Sequence, residues 1–368
     1  MDKDRNSSAP MGESSYDPDA AKAERRRQRK RQRKKSQRFW DRVAAFIIVT
    51  VLVLGTAALT AEGVIIKGPS PTLEKNFVYT MLQTRRFKWV PHLFLTDGQI
   101  NNFPLRPTPP PPEPTEDPEP EPTFHPSPIP SPWTEKDTDG DGIVLEEIKG
   151  AGFAGYMLVV LDPTRVFVGM PDSFGGVGLT LEEMCAKYDA VAGINAGGFK
   201  DDGGGGFGGL PEGLTIVDGV CYNDEAFAVS GFCGLDGDGK LHVGWYTLED
   251  CEARGIRDAV SFGPILIENG VPTGPEYLPA GVNPRTAIGQ TSTGEIILLV
   301  IDGRQLRSMG AMFQDVVDIL LDNDVVNALN LDGGSSTSMY YNGEYVNRCS
   351  AMNGKPRPLP TAFLVKQQ

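Results

Sequence analysis

Residues 330–337, Asn-Leu-Asp-Gly-Gly-Ser-Ser-Thr, place one carboxylate, two glycines and three hydroxyls directly behind an apolar segment, Val325 to Leu329. Gly333 and Gly334 tolerate positive φ and let a ligand approach bare backbone, while the following amides and the hydroxyls of Ser335 and Ser336 can donate to an anion such as a phosphate. Asp332 stands at the edge of that cradle. By itself the octapeptide reads equally as a Gly-Gly turn between strands with a solvated Asp. Three other loops carry comparable residues. Gly193 to Phe199 sets Asn195 on a glycine-rich turn, where its amide could meet a sugar hydroxyl or serve as a structural cap. Asn283 to Gly289 puts Arg285 at the start of a strand, suited to bidentate contact with a phosphate or to an ordinary exposed edge. Val300 to Arg304 ends an apolar strand in Asp302 and Arg304, a carboxylate and a guanidinium that alone could be a surface ion pair.

Other chemistries are disfavoured. The chain holds three histidines, of which His92 and His125 precede the C-terminal region and His242 lies in a strand, so Ser-His-Asp catalysis and a His-based zinc site find no support. Five cysteines (Cys185, Cys221, Cys233, Cys251, Cys349) are scattered without CxxC spacing, which argues against structural zinc and for free, buried thiols. No cofactor is expected. The one metal to consider is calcium at Asp137, Asp139 and Asp141, which open like a calcium loop, but position 12 is Ile148 where a bidentate Glu is required. The glycine-rich run 201–209 precedes no helical pattern, so it reads as a mobile loop or lid beside Asn195 rather than a dinucleotide site.

These loops need a sheet to hold them. From Trp133 onward, short apolar runs alternate with Gly, Asp and Asn turns, giving strands such as Gly155–Leu161, Ala190–Ile194, Ala259–Ile267, Thr286–Gln290, Glu295–Asp302, Val325–Asn330 and Thr361–Val365. Hairpin turns are predicted at Asp218-Gly219, Asn269-Gly270 and Asn342-Gly343. Helices are few: one opened by the capping-box spacing of Thr180 and Glu183, one over Thr247 to Arg254, and one over Gly310 to Leu321. The expected class is α+β, a large mixed, mainly antiparallel sheet domain over 133–368 with a few flanking helices.

The preceding segments differ in kind. Residues 1–42 hold fourteen Lys/Arg against seven Asp/Glu, a net of +7 in a chain of −13, so the remainder carries −20. The basic run Arg25 to Lys35 could bind nucleic acid or anionic lipid, but the uncharged stretch 43–61 behind it favours a cytoplasmic topogenic tail, with no nucleic-acid partner. The stretch approximates the roughly 20 residues that span a bilayer, so a single transmembrane helix is expected, with the tail cytoplasmic and the C-terminal domain extracellular. Residues 62–103 read as a juxtamembrane stem. Residues 104–132 hold fourteen of the thirty prolines with five acidic residues, a polyproline II spacer. At about 3.1 Å per residue it reaches up to roughly 90 Å, which suits work at a cell surface.

Taken together, Gly193–Phe199, Pro284–Gly289, Asp302-Gly303-Arg304 and Asn330–Ser336 occur in the order and approximate spacing of the phosphodiester glycosidase family, which this chain resembles over roughly Gly150 to Lys366. The family is typified by N-acetylglucosamine-1-phosphodiester α-N-acetylglucosaminidase and includes many bacterial exopolysaccharide-related proteins. The resemblance implies hydrolysis of a sugar-1-phosphodiester, with a glycan or sugar-phosphate polymer as partner. Cleavage at the anomeric carbon develops oxocarbenium charge that wants a carboxylate, and the departing phosphate wants cations and amides. On that basis Asp302 and Asp332 serve the anomeric side as base or nucleophile. Arg285, Arg304, Ser335, Ser336 and the Gly333-Gly334 amides hold the phosphate, and Asn195 orients the sugar. A noncatalytic carbohydrate- or phosphate-binding module and a glycosyl or phosphoglycosyl transferase of polymer assembly are the alternatives.

Overall fold

The structure is a computed structural model and describes residues 37, 40–41, 43–57, 60, 63–66, 68–84, 87–103, 131–200, 207–225, 231–274, 277–278, 281–351 and 354–368. The chain divides into two compact units, Met1–Gly68 and Pro69–Gln368. In the first, residues 43–57 are helical, but no helix among the described residues is long and apolar enough to cross a membrane. The expected transmembrane helix over 43–61 is therefore not carried by the structure. Residues 104–130 of the expected proline-rich spacer and the 201–206 part of the glycine loop lie outside the described residues.

The second unit begins with helix α1 (Pro71–Gln83), capped by the Ser70 side chain with Pro71 in its first turn, where a missing N–H costs nothing. The strands then follow in order: β1 (Ile143–Gly150), β2 (Phe153–Val160), β3 (Val166–Gly169), helix α2 (Leu181–Tyr188), β4 (Ala190–Asn195), β5 (Thr215–Val217), β6 (Val220–Asn223), β7 (Gly231–Asp236) and β8 (Leu241–Gly244). Helix α3 (Leu248–Ala253) leads to β9 (Ile256–Phe262), β10 (Ile265–Glu268), β11 (Val271–Pro272), β12 (Arg285–Thr291) and β13 (Ile296–Ile301). Helix α4 (Phe313–Leu321), β14 (Val325–Leu331), β15 (Met339–Tyr341), β16 (Glu344–Tyr345) and β17 (Ala362–Lys366) complete the chain. Thr180 with Glu183, and Thr247 with Asp250, form capping boxes at α2 and α3. The three expected hairpin turns form with positive φ at Asp218, Gly219, Asn269, Gly270, Asn342 and Gly343, the conformation that two-residue hairpin loops require. One expected strand divides: Ala259–Ile267 breaks at Gly263-Pro264, where proline lacks a ladder donor, and its halves β9 and β10 enter different sheets.

The fold is α+β with antiparallel pairing. A seven-stranded sheet runs β1-β2-β13-β12-β14-β10-β11; two five-stranded sheets run β16-β15-β4-β17-β3 and β6-β5-β9-β7-β8. The large sheet is buried on both faces. One face brings Leu158, Ile288, Leu298, Val300 and Leu331 against Ile194, Met339 and Phe363 of one small sheet and Cys233 and Val260 of the other. The opposite face packs Met157, Ala287, Leu299 and Ile301 onto Phe313, Val316 and Leu320 of α4. Burial on both sides explains why β13 reads Ile-Ile-Leu-Leu-Val-Ile with no polar alternation.

Register gathers the functional loops at one end. Arg285 pairs with Ile301 and Thr286 with Leu331, so the start of β12 lies beside the ends of β13 and β14. Ala362 pairs with Asn195 at the end of β4 in the facing sheet. Helix α1 docks close by: the Thr80 hydroxyl accepts from the Val282 amide at 3.0 Å, and Gln83 Oε1 accepts from Asn283 Nδ2 at 2.7 Å.

Candidate active site

The turn after β14 folds back over Pro284. The Gly334 amide donates to the Pro284 carbonyl at 3.1 Å, and a Cβ on Gly333 would stand 2.7 Å from that same oxygen, so position 333 admits only glycine without a shift. Gly334 takes φ +64°. Asp332 is half-buried and its amide donates to the Ala196 carbonyl at 3.0 Å, which ties the turn to the loop after β4. Ser350 Oγ donates to the Gly334 carbonyl at 2.7 Å. Ser336 Oγ is buried with no hydrogen-bond partner among the described residues, a state that normally costs about 1–3 kcal/mol and marks a place for a ligand or water.

Asn195 is fully buried beneath this turn. Its Nδ2 donates to the Asp332 carbonyl at 2.5 Å, and its Oδ1 accepts from Thr286 Oγ1 at 2.9 Å and the Ser338 amide at 3.1 Å. Where the sequence reading placed a sugar ligand, the structure places a clamp that joins β4, β12 and the 332–338 segment.

Asp302 is 8% exposed, with Oδ1 accepting from Asn347 Nδ2 at 3.1 Å and the Arg348 amide at 3.3 Å. Burial raises its pKa above the ordinary carboxylate value, against the lowering effects of those two bonds and of nearby Arg307 and Arg348. Asn347 also donates to the Thr337 carbonyl at 3.2 Å, and Thr286 reaches Thr337 Oγ1 at 3.3 Å, so Asp302 is joined to the Asn195 clamp through buried side chains. Asp302 lines a cavity of about 450 Å³ with Tyr156, Gln305, Arg307 and the β1–β2 hairpin; the 332–336 turn is not among its walls.

The two arginines part company. On β12, Thr286 and Ile288 face Asn195 and the small sheets, so Arg285, one residue earlier, points to the α4 face. Its guanidinium carbon lies 3.7 Å from the Phe313 ring centroid, Nε donates to the Ala311 carbonyl at 3.1 Å and Nη2 to the Gly281 carbonyl at 2.7 Å. Burial first, then the neighbouring Arg304 charge, push its pKa down, though a guanidinium keeps its proton. Arg285 is thus a core cation under the site rather than a residue open to it. Arg304 takes φ +57° and lays Nη2 3.1 Å from Asn283 Oδ1, 3.4 Å from Thr84 Oγ1 and 3.4 Å from where a Gly334 Cβ would be. Burial lowers its pKa, and part of the residue stays exposed.

Residues 188–366 match the family model described as phosphodiester glycosidase. Over these residues the chain is similar to the phosphodiester glycosidase family. It is similar to the SPbeta prophage-derived uncharacterized protein YomE of Bacillus subtilis (strain 168), with 31% identity over 202 residues that cover 52% of this chain and 29% of that protein. Similarity to the N-acetylglucosamine-1-phosphodiester alpha-N-acetylglucosaminidase of Homo sapiens is 28% over 218 residues, 52% of this chain and 40% of the human protein. The chain therefore spans less than half the length of these curated relatives. The fold resembles the catalytic domain of zebrafish N-acetylglucosamine-1-phosphodiester alpha-N-acetylglucosaminidase auto-inhibited by pro-peptide, at a TM-score of 0.53 and 22% identity, covering 63% of this chain and 86% of that one.

Several residues around the 332–336 turn and Asp302 escaped the sequence reading. Asn347 and Ser350 anchor Asp302 and the Gly334 carbonyl from the segment after β16. Thr361 Oγ1 accepts from the Gly197 amide at 3.1 Å. A third carboxylate, Glu212, brings Oε2 within 3.7 Å of where a Gly198 Cβ would be. Arg357 lies over the Phe199 ring, 4.5 Å from its centroid, and reaches Ser335 Oγ at 3.4 Å. Its one sequence signal is its place between Pro356 and Pro358. The carboxylates Asp137, Asp139 and Asp141 do gather, with ligand atoms within 4.8 Å of one another. Asp137 already accepts the Gly140 and Gly142 amides, and Asp141 the Ile143 amide and the Tyr341 hydroxyl.

Proposed function

We propose that this chain hydrolyses a sugar-1-phosphodiester in a glycan or cell-envelope polymer. The observation that carries the reading is the 332–336 turn. It carries the Asp332 carboxylate two residues before Gly334, whose amide is spent on the Pro284 carbonyl, lays the Arg304 guanidinium against Gly334 and leaves the buried Ser336 hydroxyl without a partner among the described residues. An anion held there has its charge met by Arg304, while Asp332, two residues before Gly334, opposes positive charge at the anomeric carbon.

In this reading Asp302 is the base. A carboxylate whose pKa is raised accepts a proton from water more readily near neutral pH. Asp302 takes a proton from water, the water oxygen bonds to the anomeric carbon, and the bond from that carbon to the bridging oxygen breaks. The oxygen leaves with the phosphate as a monoester. Asn195 acts through the Asp332 carbonyl by fixing the turn, and Arg285 supports the start of β12 from below.

Placement at a cell surface belongs to the same proposal. The basic residues before position 43 and the uncharged stretch behind them support a membrane anchor with the domain outside. Protease access on intact cells checks it: cleavage of the C-terminal domain without lysis is expected, and full protection refutes it.

The activity itself is tested by incubating the full chain with a chromogenic N-acetylglucosamine 1-phosphodiester, with and without an acceptor glycan, and analysing products. Free sugar and phosphomonoester are expected in both. Saturable binding without product would instead identify a binding module, and sugar appearing only on the acceptor a transferase.

A further inference from the structure

Two guanidinium groups border the Gly334-Ser335 peptide from separate parts of the chain. Arg304, from the loop after β13, stands with Nη1 and Nη2 at 3.5 and 3.4 Å from the position a Gly334 Cβ would take. Arg357, from the loop before β17, points Nη1 to Ser335 Oγ at 3.4 Å while its plane rests on Phe199. A guanidinium lying on an aromatic face directs its edge N–H groups within its own plane, an edge whose geometry matches the paired non-bridging oxygens of a phosphate. Both cations thus reach the 332–336 turn, on which the buried Ser336 hydroxyl has no hydrogen-bond partner among the described residues. A satisfied loop would use that hydroxyl; a ligand oxygen would complete it.

We propose that Arg357 is a substrate-binding residue: with Arg304 it clamps the phosphate of the diester at the Gly334-Ser335 turn, and it makes the domain prefer a phosphate-linked sugar over one carrying an uncharged aglycone. This rests on the sugar-phosphodiester reading for its substrate. Two full positive charges exceed the single negative charge of a phosphodiester and match the dianion of a phosphomonoester. The same clamp therefore binds the phosphomonoester product more tightly than the substrate, and inorganic phosphate competes with both.

The experiment uses the full chain in three forms, wild type, Arg357→Ala and Arg357→Lys, with inorganic phosphate as the probe in titration calorimetry. Wild type is expected to bind phosphate, Arg357→Ala to weaken binding about tenfold or more, and Arg357→Lys to recover part of the loss, since it restores charge without the planar fork. In kinetics, the ratio of kcat/KM for a sugar phosphodiester to that for the same sugar on an uncharged aglycone should fall at least about tenfold in Arg357→Ala, through KM. A role confined to pinning the loop onto Phe199 would lower both rates together and leave the ratio unmoved, which overturns the proposal. Phosphate binding by folded Arg357→Ala at wild-type affinity overturns it as well, as does a wild type that binds no phosphate. Arg357-dependent phosphate binding without diester turnover supports the clamp while refuting the hydrolase reading.

Discussion

Replacing Asn195 separates a buried clamp from a sugar ligand. In Asn195→Ala, the part-buried Asp332 carbonyl loses a donor at 2.5 Å and the buried Ser338 amide an acceptor at 3.1 Å. Thr286 Oγ1 loses its 2.9 Å partner too, but Thr337 Oγ1 at 3.3 Å remains within its reach. Two orphaned groups, one buried and one part-buried, at about 1–3 kcal/mol each and partly relieved by an entering water, give an expected loss of about 2–5 kcal/mol. That is a large part of the roughly 5–15 kcal/mol that holds a domain together, so the variant should unfold at clearly lower urea with an unchanged slope. Asn195→Asp isolates the donor: both acceptor bonds survive, while a carboxylate oxygen faces the Asp332 carbonyl. It should cost as much as the alanine variant or more. Urea denaturation followed by tryptophan fluorescence supplies the free energies, and KM on the sugar phosphodiester is measured below the transition. Unfolding of Asn195→Ala within about 1 kcal/mol of wild type, together with a raised KM, would refute the clamp and return Asn195 to the sugar.

Asp302 carries the pH dependence. Its folded pKa is raised above the usual 3.8 and the base must be deprotonated, so kcat/KM should fall as pH drops through a value above 3.8, and Asp302→Asn should lose turnover by about 10²-fold or more and abolish that limb. A limb at or below 3.8 in the wild type refutes the assignment. Arg285→Ala should lower stability by about 3 kcal/mol, because it orphans the Ala311 and Gly281 carbonyls and strips the cation from Phe313, yet weaken phosphate binding less than Arg304→Ala does. The opposite order in phosphate calorimetry would put Arg285 in the site. A chain begun at Trp133 lacks α1, with its buried Val78 and Leu82 and the Gln83 bond to Asn283; it should melt several degrees below one begun at Pro69 and show faster proteolysis near 283 and 304. Equal melting and cleavage would show that α1 contributes nothing to the Arg304 edge.

What the sequence made legible follows from how far each signal reaches along the chain. Asp218-Gly219, Asn269-Gly270 and Asn342-Gly343 are local demands for positive φ, and Thr180 with Glu183 is a local reciprocal cap, so both kinds of element appear where expected. The four loops were legible as residue types, and register then brings their ends together. The direction of Arg285 was not legible, and the cause is physical. Face is read from alternation, and a sheet buried on both sides by the small sheets and by α4 shows none: β13 is apolar throughout and β12 is buried at every position. A one-residue change of parity decides whether a guanidinium meets a substrate or Phe313, and only the pairing of Thr286 with Leu331 under Asn195 supplies it. Arg357 was hidden for a different reason. Its partners Ser335 and Phe199 lie far away along the chain, and none of the four loop patterns includes it. The residues that recur as a pattern are those that shape the turn, whereas a cation that approaches it from another segment leaves no spacing to read; in this site the scaffold is visible in the sequence and one side of the charge clamp only in three dimensions.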